Sequence, residues 1–117
     1  MNVDNNTNLS FGKIKFSDKA MTSLSNRLTS GEFALKIPEL IENHKINPVD
    51  IYVTTVKDSD RLICQAKWIN PDKTAPGFFN FYKKENKLNK MFSSPIAFLK
   101  RICKQSNKLA EEFSRNA

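Results

Sequence analysis

The pattern of hydrophobic and polar positions divides the chain into a polar start, a short strand, two helical stretches, three further strands and a long final helix. Residues 1–10 are mostly polar, which predicts a flexible tail, and residues 11–117 are predicted to form a single domain. The stretch Phe11–Ser17 ends in an alternation of lysines with Ile14 and Phe16. Such alternation is typical of a strand, here a short one at the edge of a sheet.

Two helices are predicted after this strand. Ser17 is the expected N-cap of the first helix, whose apolar residues recur at helical spacing, and Gly31 is expected to end it. A proline inside a helix costs roughly 3 kcal/mol, so we predict Pro38 as the first residue of a short second helix that ends near Lys45. Residues 32–37 are then expected to form an extended lead-in or a separate turn.

Three strands are predicted next, arranged as an antiparallel meander. Asp50–Val56 is rich in β-branched and aromatic residues, and a polar turn separates it from Arg61–Ile69, in which apolar and polar residues alternate. The third strand, Phe78–Lys83, follows a loop at 70–77 that contains two prolines.

The two faces of the third strand have different compositions. Period-two geometry places Phe79 and Phe81 together, and we assign them to the core. Phe78, Asn80 and Tyr82 share the other face. The neighbouring strand is expected to add to that face the side chains of Arg61, Gln65 and Lys67. Nucleic-acid bases can stack on such rings if the face is exposed, whereas a covering layer of helices would make it structural.

The C-terminal helix is the clearest element of the pattern. Ser94 is its predicted N-cap and Pro95 its first residue. Its apolar face consists of Leu99, Ile102, Cys103, Leu109, Ala110 and Phe113. Its basic face consists of Lys100, Arg101, Lys104, Lys108 and Arg115. The apolar face is directed either toward the sheet or toward a second copy of the chain. A homodimer seam would consist of Leu99, Ile102, Leu109 and Phe113.

Together these elements predict an α+β fold. It has a three- to four-stranded antiparallel sheet, two N-terminal helices and a long amphipathic C-terminal helix in one small domain. A winged-helix arrangement is one version of this fold, with residues 17–45 as the helix pair and the loop at 70–77 as the wing tip. The opening KIKFSDKAMTSLSNRL also resembles the strand-then-helix start of ribbon-helix-helix repressors, a fold that ends after two helices.

Charge is concentrated in the second half of the chain. The 117 residues contain 19 Lys and Arg against 12 Asp and Glu, a net charge of +7. Residues 1–56 are neutral, so the whole excess lies in residues 57–117. Between Lys83 and Lys108 eight cationic residues face one carboxylate, that of Glu85. A cluster of this kind is typical of proteins that bind a polyanion.

We therefore predict a non-enzymatic nucleic-acid-binding protein in the cytoplasm, with duplex DNA as the favoured partner and an accessory or regulatory role. The abundance of lysine and asparagine suggests AT-rich coding, as in many plasmids and phages. The candidate nucleic-acid-binding residues are Lys83, Lys84, Lys87, Lys90, Lys100, Arg101, Lys104, Lys108, Arg61, Lys67, Lys73 and Tyr82. No catalytic residue, cofactor, small-molecule substrate or membrane partner is predicted, because no catalytic motif and no apolar run of roughly 18 residues is present.

Metal and redox chemistry are not expected from the cysteines and the histidine. Cys64 and Cys103 lie in apolar patterns and are predicted to be buried thiols. With His44 they are too few and too far apart in sequence for a zinc site. His44 is expected at a helix end, facing solvent.

Two alternatives to DNA binding stay open, and one comparison fails. PGFFNFYKK does not match the aromatic strand of the RNA-recognition motif, because Phe79 and Asn80 stand where that motif has a small residue and a ring.

The first alternative to DNA binding is a protein–protein interaction module that dimerises or docks through the C-terminal helix. The second rests on a similarity in size, charge and element order to RelE-type ribonuclease toxins. That similarity implies candidate roles for Arg61, Lys67 and Tyr82.

Overall fold

The computed structural model describes residues 14–69 and 77–116. In chain order the elements are β1 (Ile14–Phe16), α1 (Asp18–Arg27), α2 (Ser30–His44), β2 (Asp50–Thr55), β3 (Leu62–Ile69), β4 (Phe78–Lys84), α3 (Lys87–Phe92) and α4 (Pro95–Asn116). The predicted tail at 1–10 and most of the predicted loop at 70–77 lie outside the described ranges. The predicted α+β class is confirmed.

The described strands form one mixed sheet in the order β1-β2-β3-β4. β2, β3 and β4 are the predicted antiparallel meander. β1 pairs with β2 in parallel, with Ile14 opposite Ile51. The prediction of a wholly antiparallel sheet is wrong at this edge, because α1 and α2 form a crossover that returns the chain to the same end of the sheet before β2 begins.

The core lies between the helices and one face of this sheet. The strands contribute to it through alternate residues, namely Ile14, Ile51, Val53, Leu62, Cys64, Ala66 and Trp68. The helices contribute Ala20, Leu24, Ile37, Leu40, Phe98, Leu99, Ile102 and Ala110. Burying one Leu or Ile side chain stabilises a fold by about 1.5–3 kcal/mol relative to leaving it exposed. The apolar face of α4 is therefore part of the chain's own core.

Two predicted helix starts are confirmed by their hydrogen bonds. The amide of Ala20 donates to Ser17 Oγ over 3.0 Å at the start of α1. The amide of Ile96 donates to Ser94 Oγ over 3.1 Å at the start of α4, where Pro95 is the first helical residue. In both helices the side-chain oxygen satisfies an amide that has no partner within the helix.

The boundary between α1 and α2 lies earlier than predicted. α1 ends at Arg27, so the prediction that Gly31 ends it is wrong. Thr29 instead caps α2: its Oγ1 accepts from the Glu32 amide, and its own amide donates to Glu32 Oε1, each over 3.1 Å. This reciprocal capping box fixes the start of α2 and makes Gly31 an ordinary helical residue.

Pro38 lies inside α2, so the predicted helix start at Pro38 and the predicted extended segment or turn at 32–37 are both wrong. The proline leaves the Ala34 carbonyl without its usual helical donor. The helix continues because Ile37 and Leu40, on either side of the proline, are both only 4% exposed and pack into the core. Here the tertiary contacts outweigh the cost of the proline.

The connection from α2 to β2 is fastened by buried polar groups. His44 is 2% exposed, and its Nε2 lies 2.7 Å from the Val49 carbonyl oxygen, so the prediction of a solvent-facing histidine is wrong. Asn47 donates from Nδ2 to the Cys103 carbonyl over 3.0 Å and accepts the Val49 amide at Oδ1 over 2.9 Å. The chain folds back over the last turn of α2 to enter β2, and this covers the histidine.

Candidate nucleic-acid interface

The face of the sheet opposite the core is exposed. We call its residues the outer sheet face: Lys15, Asp50, Tyr52, Thr54, Ile63, Gln65, Lys67, Phe78, Asn80, Tyr82 and Lys84. The helices with the most extensive contacts to the sheet, α1 and α4, pack on the side where the buried strand residues lie. Tyr52, Phe78 and Tyr82 are 46%, 71% and 63% exposed, respectively. Three aromatic rings thus lie on one solvent-facing surface.

Two of these rings belong to a single row across the sheet. Tyr52 on β2 is in register with Gln65 on β3, and Gln65 with Tyr82 on β4. Lys15 on β1 extends the row next to Tyr52. Adjacent strands lie about 4.8 Å apart, so the two tyrosines stand about 10 Å apart with the Gln65 amide between them.

Amide and charged groups surround the rings. Gln65 Nε2 donates to Asn80 Oδ1 over 3.2 Å, which joins the central strand to the edge strand. Asn80 is in register with Lys67, and Lys67 with Asp50. The outer sheet face carries three lysines against one carboxylate. It combines exposed rings, hydrogen-bonding amides and a positive charge, which are the groups that contact bases and phosphates in single-stranded nucleic acids.

The predicted site residues of this region divide into two places. Lys67, Tyr82 and Lys84 lie on the outer sheet face. Arg61 is half-buried, and its Nη1 donates to the Glu85 carbonyl over 3.5 Å. It lies about 13 Å along β3 from Gln65. Of the three residues implied by the similarity to ribonuclease toxins, only two are therefore neighbours. Lys73 lies outside the described residues.

The other lysines between Lys83 and Lys90 have different environments. Lys83 and Lys87 are exposed, and neither forms an ion pair within the described part of the chain. Lys90 pairs with Asp60. Its hydrogen bond holds the pKa of the Asp60 carboxyl below the usual value. Lys90 is thus engaged within the fold, whereas Lys83 and Lys87 are available to a phosphate.

The cations of α4 lie on the opposite side of the molecule from the outer sheet face. Lys100, Arg101, Lys104 and Lys108 are exposed, and α4 buries its other side against the sheet. Lys100 Nζ lies 4.0 Å from Glu39 Oε1 on α2. The structure therefore does not gather the predicted nucleic-acid-binding residues into one surface, because the sheet and the helical layer separate two groups of them.

The residues of the predicted dimer seam are mostly used within the chain. Leu99 and Ile102 are 1% and 2% exposed, and Leu109 is half-buried. Phe113 is 38% exposed and packs edge-on against Trp68 and Phe79. The homodimer stays a prediction, but the burial of Leu99 and Ile102 removes half of its proposed contacts.

The winged-helix interpretation gains no support, because the long strands form the layer on which the helices pack.

Sequence reasoning missed Tyr52 and Lys15 as members of the candidate surface. The signal for Tyr52 was the alternation of β2, in which Ile51 and Val53 point to the core. Lys15 joins the surface only through the parallel pairing of β1 with β2. That pairing depends on the crossover through α1 and α2, which a local pattern does not reveal.

Burial affects the acidity of both cysteine thiols. Cys64 is buried and Cys103 half-buried, and both are free thiols. Burial raises the pKa of Cys64 above its ordinary value and that of Cys103 to about 11, so both stay protonated near neutral pH. Among the described residues, no group of three or more His, Cys, Asp and Glu side chains could hold a metal ion. No helix in the same ranges has the length and apolarity needed to cross a membrane.

No protein-family model, curated protein or solved structure matches this chain.

Proposed function

We propose that the protein binds single-stranded nucleic acid across its outer sheet face. The observation that carries the proposal is the exposure of Tyr52 and Tyr82 in one register row, with the Gln65 amide between them. Exposed rings on a sheet can serve as stacking platforms for bases, and here Lys15 lies in register with Tyr52 while Lys84 lies two residues beyond Tyr82 on the same face.

Each group of the surface has a role in this mechanism. Bases stack on the rings of Tyr52 and Tyr82, and each stacked base contributes about 1–3 kcal/mol. The amides of Gln65 and Asn80 hydrogen-bond to the exposed edges of those bases. The flanking lysines neutralise phosphates and make the affinity dependent on salt. The contribution of stacking makes the binding tolerant of sequence, since every base has a stacking face.

The same surface suits a single strand better than a duplex. In a duplex the bases are stacked on each other, and their faces are closed to a protein ring. The outer strands of this sheet lie about 14 Å apart, and a major groove is about 12 Å wide, so the sheet cannot enter the groove whole. Charge alone favoured duplex DNA, whereas the exposed rings favour unpaired bases.

The test measures fluorescence anisotropy of a labelled mixed-sequence 12-mer, as single-stranded DNA, single-stranded RNA and DNA duplex, at low salt. We expect the wild-type chain to bind the single strands more tightly than the duplex. Tyr52→Ala and Tyr82→Ala should each weaken single-strand binding by about 5- to 150-fold, because each removes one stacking platform.

Tyr52→Phe and Tyr82→Phe are the matched controls, since they keep the ring and remove only the hydroxyl. They should bind within a few-fold of wild type, and circular dichroism should show that all variants are folded. Alanine variants that bind as tightly as wild type would show that the rings are not the platform. Absence of any binding at low salt would refute the function altogether.

A further inference from the structure

A second charged surface lies on the face of α4 that points away from the core. It consists of Arg101, Lys104 and Lys108, which we call the α4 cation row. At about 100° per residue these positions lie opposite the buried positions Leu99 and Ile102. All three side chains are exposed, and none forms an ion pair within residues 14–69 and 77–116.

The row is held in place by the packing beneath it. Arg101 and Lys108 are separated by about 10 Å along the helix axis, with Lys104 between them. Ser106 and Ala110, on the other side of the same turns, are 0% and 1% exposed, so the helix cannot rotate without opening the core. On the side toward α2 the row is bounded by Lys100, which is close to Glu39.

The chemistry of the row differs from that of the outer sheet face. Arg101, Lys104 and Lys108 offer cations without a ring among them. Phe113 lies near the C-terminal end of α4, but its ring packs against Trp68 and Phe79 on the other side of the helix. Cations alone contact phosphates and read neither base identity nor strandedness.

We propose that the α4 cation row is a second phosphate-binding surface, so that one chain holds two nucleic-acid segments at once, one on each side of the molecule. This proposal rests on the proposed function for its first segment. The two surfaces are separated by the full thickness of the sheet and the helical layer. A short oligonucleotide on the outer sheet face therefore leaves the row free for another.

The test is the stoichiometry of binding of a single-stranded hexamer, measured by isothermal titration calorimetry at low salt with sedimentation velocity to follow the mass of the complex. We expect two hexamers per chain for wild type. The triple variant Arg101→Gln/Lys104→Gln/Lys108→Gln should bind one, with the tighter site changed less than threefold. The control Lys19→Gln/Lys36→Gln/Lys57→Gln removes the same charge elsewhere and should still bind two.

The second site should also have its own signature. A short hairpin duplex should compete for it about as well as a single strand. Three phosphate contacts predict a slope of about −3 in log affinity against log salt for the duplex. A wild-type chain that saturates at one hexamer, or a charge control that loses the second hexamer too, would overturn the proposal.

The double variant Tyr52→Ala/Tyr82→Ala separates the two proposals. It should lose the tighter hexamer and keep the weaker one. If it keeps both, the function assigned to the outer sheet face is wrong while the row still binds. If wild type binds a single hexamer and this variant binds none, the outer sheet face is supported and the second surface is refuted.

Discussion

At the scale of single residues, the basic segment between Lys83 and Lys108 contains one carboxylate, and the fold withdraws it from the surface. Glu85 is 0% exposed and forms a bidentate pair with Arg27, with oxygen-to-nitrogen distances of 2.6 and 2.7 Å. It also accepts the Leu62 amide over 3.1 Å. The pair joins the end of α1 to the end of β4, and it leaves the surface lysines without that carboxylate among them.

The first prediction concerns the stability of this pair. Glu85→Gln leaves the mostly buried Arg27 guanidinium without its counter-charge, and breaking a buried pair in this way costs about 3–5 kcal/mol. Urea denaturation should show a decrease of that order in the free energy of unfolding. Glu42→Gln is the control, because Glu42 pairs with Lys45 at an exposed site and such pairs contribute at most about 1 kcal/mol. Equal effects of the two substitutions would show that Glu85 does not hold α1 to the sheet.

At the scale of secondary-structure elements, α2 continues through a residue that disfavours it. Pro38 is exposed and removes one helical hydrogen bond, while the capping box at Thr29 and the burial of Ile37 and Leu40 keep the helix intact. The proline therefore lowers the stability of α2, and its replacement would not disturb the core.

The second prediction follows from this cost. Pro38→Ala restores a donor to the Ala34 carbonyl, and we expect it to raise the free energy of unfolding by about 1–3 kcal/mol, less the entropy that the proline removes from the unfolded chain. Thermal denaturation followed by circular dichroism measures the gain. Leu35→Ala, at a 63% exposed position of the same helix, should change stability by no more than about 0.5 kcal/mol. A loss of stability in Pro38→Ala would mean that the helix is adapted to the proline.

The elements differ in how far the sequence predicts them. β3 and α4 could be predicted because alternation and an N-cap with a following proline are local signals. The continuity of α2 could not be predicted. Pro38 is a local signal that a helix ends, whereas the burial of Ile37 and Leu40 that keeps the helix intact is a tertiary effect. The direction of β1 likewise depends on where the crossover returns the chain. The exposure of Tyr82 could not be predicted from β4 alone, because it depends on the helices packing on one face of the sheet only.

At the scale of the whole molecule, the packing of the helices on one face of the sheet determines where the cationic residues lie on the surface. The sequence places the charge excess in one contiguous segment, and the fold divides it between the edge of the sheet and the far side of α4. The predicted lysines therefore do not form a single surface, and they lie in two regions with different chemistry. The outer sheet face carries rings and amides, and the α4 cation row carries charge alone.

We propose that unpaired bases bind on the outer sheet face. The most direct test is an NMR titration of isotope-labelled protein with an unlabelled single-stranded 12-mer, which maps the perturbed residues without any mutation. The largest changes are predicted for the side-chain amides of Gln65 and Asn80 and the rings of Tyr52 and Tyr82, with small changes in α1 and α2. Perturbations confined to the helical side, with these four residues unchanged at saturation, would contradict the claim.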